Sequence, residues 1–215
     1  MERKMETKSI SLFSNCLQLL TSLLLASLLF ASNVHNSSAA ATTTTKTSKT
    51  TYIKYLKTAC NTTTRPKLCY NSLSPYISTI ETNDLKLCET ALTITLEVAK
   101  KTYALVKNLS RQKRLSKLEV GIIQDCKEEI GDSINELKNA LQVLDSLKGS
   151  NKNVELHIAD IKTWVSAAIT DESSCADEFD NLKVSTALTN KIRKSISEFD
   201  GLTSNALALI NKLNQ

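Results

Sequence analysis

The sequence predicts an all-α fold: an up-down-up-down four-helix bundle preceded by a short helical hairpin and held by two disulfides. Three observations predict it. Four long segments carry apolar residues at heptad spacing, the connections between them are short and polar, and two cysteines sit equidistant from one of the turns. Composition agrees, since 215 residues with only 4 Gly, 2 Pro and 5% aromatics favour helices over strands.

The elements follow in chain order. Arg3, Lys4 and Lys8 precede an apolar run at 16–31, and the small residues of "SSAAA" follow at 37–41. This pattern is that of a secretory signal peptide over 1–41, cleaved near Ala41. A retained membrane anchor is the alternative, but the run is short for a span. The expected location is extracellular, with no membrane contact after cleavage. Removal of 1–41 leaves 24 basic against 20 acidic side chains, a mild net charge of +4. Residues 42–50, "TTTTKTSKT", are polar and of low complexity and predict a disordered N-terminus. Residues 51–80 hold Cys60, Cys69, Pro66 and Pro75, which predicts short helices and turns closed by a local bridge.

Residues 81–215 form the bundle. In 84–108 the positions Leu85, Leu92, Ala99 and Val106 recur every seven, with Cys88 beside them. In 117–147 the set is Ile123, Ile130, Leu137 and Leu144, joined by Cys126. In 153–178 it is Val154, Ile161, Ala168 and Cys175. In 186–213 two sets interleave, Leu188, Leu202 and Leu209 against Ile192, Phe199, Ala206 and Leu213. Each is an amphipathic helix with a narrow apolar stripe. The linkers "SRQKRLS", "KGSNKN" and "DNLKVS" are short, so sequential helices are antiparallel neighbours. Asp200-Gly201 is a candidate kink lying off the apolar stripe.

Cysteine placement can be read from this geometry. Residues equidistant from a hairpin turn lie opposite each other. Cys126 and Cys175 are equidistant from the turn near residue 151, and both lie on their apolar stripes. They are expected to bridge about 36 Å from that turn, at 1.5 Å of rise per residue. Cys88 lies level with residue 136 rather than with Cys126, so it is expected to be a buried free thiol that acts as a small core hydrophobe. Secretion makes disulfides the default state. Asn61-Thr62-Thr63 and Asn108-Leu109-Ser110 are candidate glycosylation sequons at Asn61 and Asn108.

Several function classes find little support. After processing only His157 remains, and there is no Ser-His-Asp grouping, Gly-rich phosphate loop or His/Cys metal spacing. No enzyme activity, cofactor or metal is expected. The acidic "DESSCADEFD" lacks the alternating ligands and central Gly of a calcium loop. The basic run "RQKR" at 111–114 has no interleaved aromatics and reads as a solvated turn, so no nucleic acid partner is expected. A carrier of small hydrophobic ligands would need space inside the bundle, which the close stripes oppose.

Four blocks in order carry a resemblance. "CNTTTRPKLC" (60–69) resembles C-x-x-T-x-Y-P-x-x-C, with Arg65 where an aromatic is usual. "QDCKEEIGDSINELKNAL" (124–141) resembles D-C-x-E-x-Y-x-x-A-x-x-x-L-x-x-A, with Ile130 at the tyrosine position. "TWVSAAITDESSCADEF" (163–179) resembles W-x-S-A-A-x-T-x-x-x-T-C-x-D-x-F. Trp164, Ser166, Ala167, Ala168, Thr170, Cys175, Asp177 and Phe179 match it. "LTSNALALINKL" (202–213) is similar to the closing helix. Together they resemble the plant invertase and pectin methylesterase inhibitor family. The resemblance implies a four-helix bundle after a helical hairpin, one bridge in each, and a protein that binds a carbohydrate-active enzyme one-to-one and blocks its substrate cleft. "LTSNALAL" is closer to the pectin methylesterase branch, and the Pro-Lys-Phe motif of invertase inhibitors is absent. Inhibition of acid invertase is the alternative. The expected docking surface lies at the Cys175 end and uses Thr170, Asp171, Glu172, Ser173 and Ser174.

Overall fold

The computed structural model describes residues 37–113, 115–149, 153–181 and 186–213. Most of the expected leader therefore lies outside the described residues. Two compact units divide the chain, Met1–Ser48 and Lys49–Gln215. The elements are α1 (Ser37–Cys60), α2 (Pro66–Leu73), a 3₁₀ turn (Ser74–Tyr76), α3 (Ile77–Ile80), α4 (Asp84–Leu109), α5 (Lys117–Ser146), α6 (Val154–Asn181) and α7 (Thr186–Ile210). The fold is the all-α bundle that the sequence predicts, with its N-terminal extension. Helix α1 differs from expectation, because it runs back through 42–50, where composition predicts irregular chain. Once the packed turns at 51–60 supply a nucleus, each further residue adds a hydrogen bond without a new nucleation cost.

Local chemistry sets the helix starts. Asn83 caps α4 by accepting from the Lys86 amide. Ser116 and Glu119 form a reciprocal capping box on α5, so Ser116-x-x-Glu119 satisfies two orphan donors at once. Pro66 begins α2, where its missing N–H costs nothing. Asn153 has φ 57 just before α6, a left-handed conformation that Asn tolerates.

In the bundle α4 packs on α5 and α7, and α6 packs on α5 and α7. The heptad residues line the centre: Leu92, Ala99, Val106, Ile123, Ile130, Leu137, Ile161, Ala168, Ile192, Phe199 and Ala206 are fully buried. Val154 departs from its stripe and is exposed at the first turn of α6. Several hydroxyls in the core are satisfied locally. Thr102 and Ser195 bond across α4 and α7 at 2.8 Å, and the Ser133 hydroxyl donates to the Glu129 and Ala168 carbonyls.

Cys126 and Cys175 are bridged, with Cα atoms 4.4 Å apart, and tie α5 to α6. Cys60 and Cys69 close the hairpin between α1 and α2, with Cα atoms 5.5 Å apart. Cys88 is a buried free thiol, and burial followed by the nearby Asp84 charge pushes it up to about 12.

The N-terminal hairpin is fastened to α7 by side chains whose role the sequence hides. Asn205 accepts from the Arg65 amide at 2.8 Å and donates to the Arg65 carbonyl at 3.1 Å. The Arg65 guanidinium donates to the Ser197 carbonyl at 2.8 Å and pairs with Asp200 at 2.7 Å. Tyr55 donates to the Asp84 carboxylate and holds α1 to the start of α4. Gly201 is not a kink. Helix α7 runs through it, and a Cβ there would lie 2.7 Å from Leu68 Cδ2 and 2.9 Å from Arg65 Cδ. Gly201→Ala is therefore expected to cost about 1–3 kcal/mol by overpacking. Thermal melts of G201A, R65A and the double variant check this. In the Arg65→Ala background only part of the cost should vanish, because the Arg65 side chain is gone while Leu68 Cδ2 still lies 2.7 Å from the added Cβ.

Candidate functional site

The five residues expected to form one docking surface do not share a face. Successive residues of a helix turn by about 100°, so 170–174 covers more than a full turn. Thr170 and Ser173 are exposed, and their hydroxyls donate to the Ser166 and Ile169 carbonyls. Ser174 is half-buried. Glu172 faces the other way and is fully buried against α7, where its Oε1 accepts from the Thr203 hydroxyl at 2.7 Å. It contributes to the core and not to the surface. Burial raises its carboxyl to about 9, opposed by the Thr203 bond and aided by Asp200 and Asp171. The group is a neutral acid at physiological pH.

Asp171 points toward α5 and joins a ridge that sequence reasoning missed. Half-buried Glu129 and Glu136 on α5 and Asp171 and Glu178 on α6 line the seam of these helices, with exposed Asp125 and Asp132 beside them. The ion pairs among the described residues engage Glu81, Glu89, Asp145 and Asp200 and none of these six carboxylates. One oxygen each of Glu129, Glu136, Asp171 and Glu178 is buried without a hydrogen-bond donor. Partial burial, followed by the charges of Glu178 and Asp171, raises Glu129 to about 7. Burial, followed by the charge of Asp171 and a hydrogen bond with it, raises Glu136 to about 7. Burial also raises Asp171 and Glu178.

The signal for this ridge lies in the heptads. Glu129 and Glu136, Asp125 and Asp132, and Asp171 and Glu178 are each seven apart, flanking the apolar stripes. Paired helices usually place opposite charges at such positions. Here both helices place acids there, which destabilises the bundle alone and leaves a face suited to a partner's donors.

Other marked residues lie elsewhere. Asn108 is exposed on the last turn of α4, and Asn61 is exposed in the hairpin turn. His157 is half-buried on the first turns of α6. Among the described residues no three His, Cys, Asp or Glu side chains are grouped to hold a metal ion. A cleft of about 690 Å³ lies between the 3₁₀ turn, α3 and α4, lined by Tyr76, Leu85, Ile94 and Lys148 among others. It contains none of the ridge carboxylates.

The family model for plant invertase/pectin methylesterase inhibitors matches residues 54–209. Pectinesterase inhibitor 10 of Arabidopsis thaliana is 47% identical over 166 residues, covering 76% of this chain and 52% of the relative. Pectinesterase inhibitor 4 of Arabidopsis thaliana is 40% identical over 157 residues, covering 73% of this chain and 79% of the relative. The chain thus spans about half the length of the first relative and about four fifths of the second. A crystal structure of a mutant form of a pectin methylesterase inhibitor from Arabidopsis superposes with a TM-score of 0.60 at 20% identity, covering 74% of this chain and 96% of the other. That likeness concerns the fold.

Proposed function

Because this chain belongs to the plant invertase/pectin methylesterase inhibitor family, we propose that it is a secreted inhibitor that docks its α5–α6 ridge against pectin methylesterase and occludes the substrate cleft in a one-to-one complex. The names of its relatives support the target, since they are pectinesterase inhibitors. The leader pattern at 1–41 and the two bridges support an oxidising extracellular location. The observation that carries the siting is the set of half-desolvated carboxylates without cationic partners. A functional surface tolerates such unfavourable groups when a partner satisfies them.

The ridge acts through hydrogen bonds and shape. A protonated carboxyl offers one donor and an acceptor, so it can bond acids, amides or hydroxyls at the rim of a cleft. A stable complex buries about 800 Å² on each partner. The exposed hydroxyls of Thr170 and Ser173 extend the contact beside the ridge.

Docking removes water from carboxyls that burial already holds near 7. Their neutral forms are favoured further in the complex than in the free inhibitor. Groups whose values rise on binding contribute affinity that is present below their free values and lost above them. Inhibition is therefore expected to be strongest near pH 5–6 and to weaken as pH rises through about 7. Inhibition constants at pH 5, 6, 7 and 8 check this, and a flat profile would remove the ridge from the interface.

The function itself is tested by titrating a plant pectin methylesterase and a cell-wall invertase with the purified mature protein near pH 5.5. Stoichiometric loss of esterase activity alone is the expected result. Loss of invertase activity alone would move the target to the other enzyme the family is named for. No effect on either, with both bridges intact, would overturn the inhibitor reading.

A further inference from the structure

The turn between α1 and α2 carries Asn61-Thr62-Thr63 immediately after bridged Cys60. Its backbone is tightly bonded: the Asn61 amide donates to the Lys57 carbonyl at 3.0 Å and the Thr63 amide to the Cys60 carbonyl at 3.0 Å. The Asn61 side chain is exposed. Beside it opens a cleft of about 360 Å³ lined by Lys57, Cys60, Asn61, Pro66, Lys67 and Tyr70. That volume lies in the range of small-ligand sites.

The walls of this cleft match an amphipathic ring. The pyrrolidine of Pro66, the ring of Tyr70 and the lysine stems supply apolar contact. Lys57 Nζ, 5.7 Å from the Tyr70 ring centroid, and Lys67 Nζ supply donors at the rim. A sugar has this character, with C–H faces and hydroxyl or acetamido oxygens at its edges. Any group linked to Asn61 Nδ2 starts at the mouth of the cleft.

We propose that Asn61 carries an N-linked glycan whose first sugar occupies the cleft lined by Pro66, Tyr70, Lys57 and Lys67 and covers the Cys60–Cys69 bridge. This rests on the reading of the chain as secreted. In the transfer Asn61 Nδ2 forms a bond to the anomeric carbon of a lipid-pyrophosphate-linked oligosaccharide. The anomeric C–O bond to phosphate breaks, its electron pair leaves with the lipid pyrophosphate, and Nδ2 gives up one proton to a base of the transferase. The order of events follows from the folded turn. Thr63 is buried and its hydroxyl donates to the Cys60 carbonyl at 2.8 Å, so the sequon hydroxyl is unavailable once the hairpin closes. Transfer precedes the bridge.

The test uses the full chain with its own leader, expressed in plant cells and collected from the medium. N-glycans are released enzymatically in heavy-oxygen water and peptides are read by mass spectrometry. The expected result is isotope-labelled Asp at position 61, and loss of one glycan's mass in Asn61→Gln. The glycosylated protein is expected to melt about 2 °C or more above the enzymatically deglycosylated one, and Tyr70→Ala is expected to erase that difference. Unmodified Asn61 in secreted, bridge-intact protein would overturn the proposal alone. A glycan with no Tyr70-dependent shift would overturn its placement in the cleft. Absence of the protein from the medium would overturn both secretion and this proposal.

Discussion

Replacing Glu172 by Gln is expected to flatten the pH dependence of stability. Glu172 is fully buried, and its carboxyl lies at about 9 in the folded protein against an ordinary value near 4.5. The folded state therefore holds a proton that the unfolded chain releases above about pH 4.5. For a group raised in this way, stability is fully present below the unfolded value and falls as pH rises toward the folded one. The slope is about 1.4 kcal/mol per pH unit between roughly pH 5 and 8. Glu129 and Glu136 add to the slope in the same direction up to about pH 7, so the contribution of Glu172 is the difference between wild type and E172Q. Gln keeps an oxygen for the Thr203 hydroxyl but has no proton to lose. Its amide adds a donor to the core, a cost that does not vary with pH and leaves the slope as the readout. Urea unfolding at pH 5, 6.5 and 8 measures both proteins. Parallel profiles would show that Glu172 is not held neutral in the core.

Removing the Cys126–Cys175 bridge is the second large effect. Its loop of 49 residues corresponds to about 4 kcal/mol of loop-closure entropy, against between 2 and 3 kcal/mol for the Cys60–Cys69 loop of 9. The double variant Cys126→Ala, Cys175→Ala is expected to melt about 8–16 °C lower. The hairpin pair, replaced in the same way, should fall by clearly less. Both sites are buried, so alanine leaves small cavities at each and the comparison isolates loop length. Equal drops would place the stabilisation in packing rather than in the connectivity of α5 and α6.

These two results rest on features of unequal legibility in the sequence. Heptad spacing located all four bundle helices, and equal distance from the turn near residue 151 paired Cys126 with Cys175. Both readings use helix geometry alone. Within the expected docking stretch the same geometry misplaces Glu172, since Thr170–Ser174 winds around the helix and Glu172 comes to rest under α7. The ridge was visible as acids at heptad spacing, yet only the folded seam shows Glu129, Glu136, Asp171 and Glu178 facing one another. The departures from the family pattern also acquire roles in the fold. Arg65 clamps the hairpin to α7 through Ser197 and Asp200, and Ile130 is fully buried in the core. Asn205 and Gly201 were hidden because their partners, Arg65 and Leu68, lie more than 130 residues away in the chain.

The central claim is that the α5–α6 carboxyl ridge binds the target enzyme. The most direct measurement is the dissociation constant for a plant pectin methylesterase at pH 5.5, by titration calorimetry, for wild type and for the double variant Glu136→Lys, Asp171→Lys. Circular dichroism melts establish that the variant is folded. Two misplaced charges at an interface cost several kcal/mol, so wild type should bind one-to-one and the variant at least about 100-fold more weakly. Binding of the folded variant as tight as that of wild type would contradict the account.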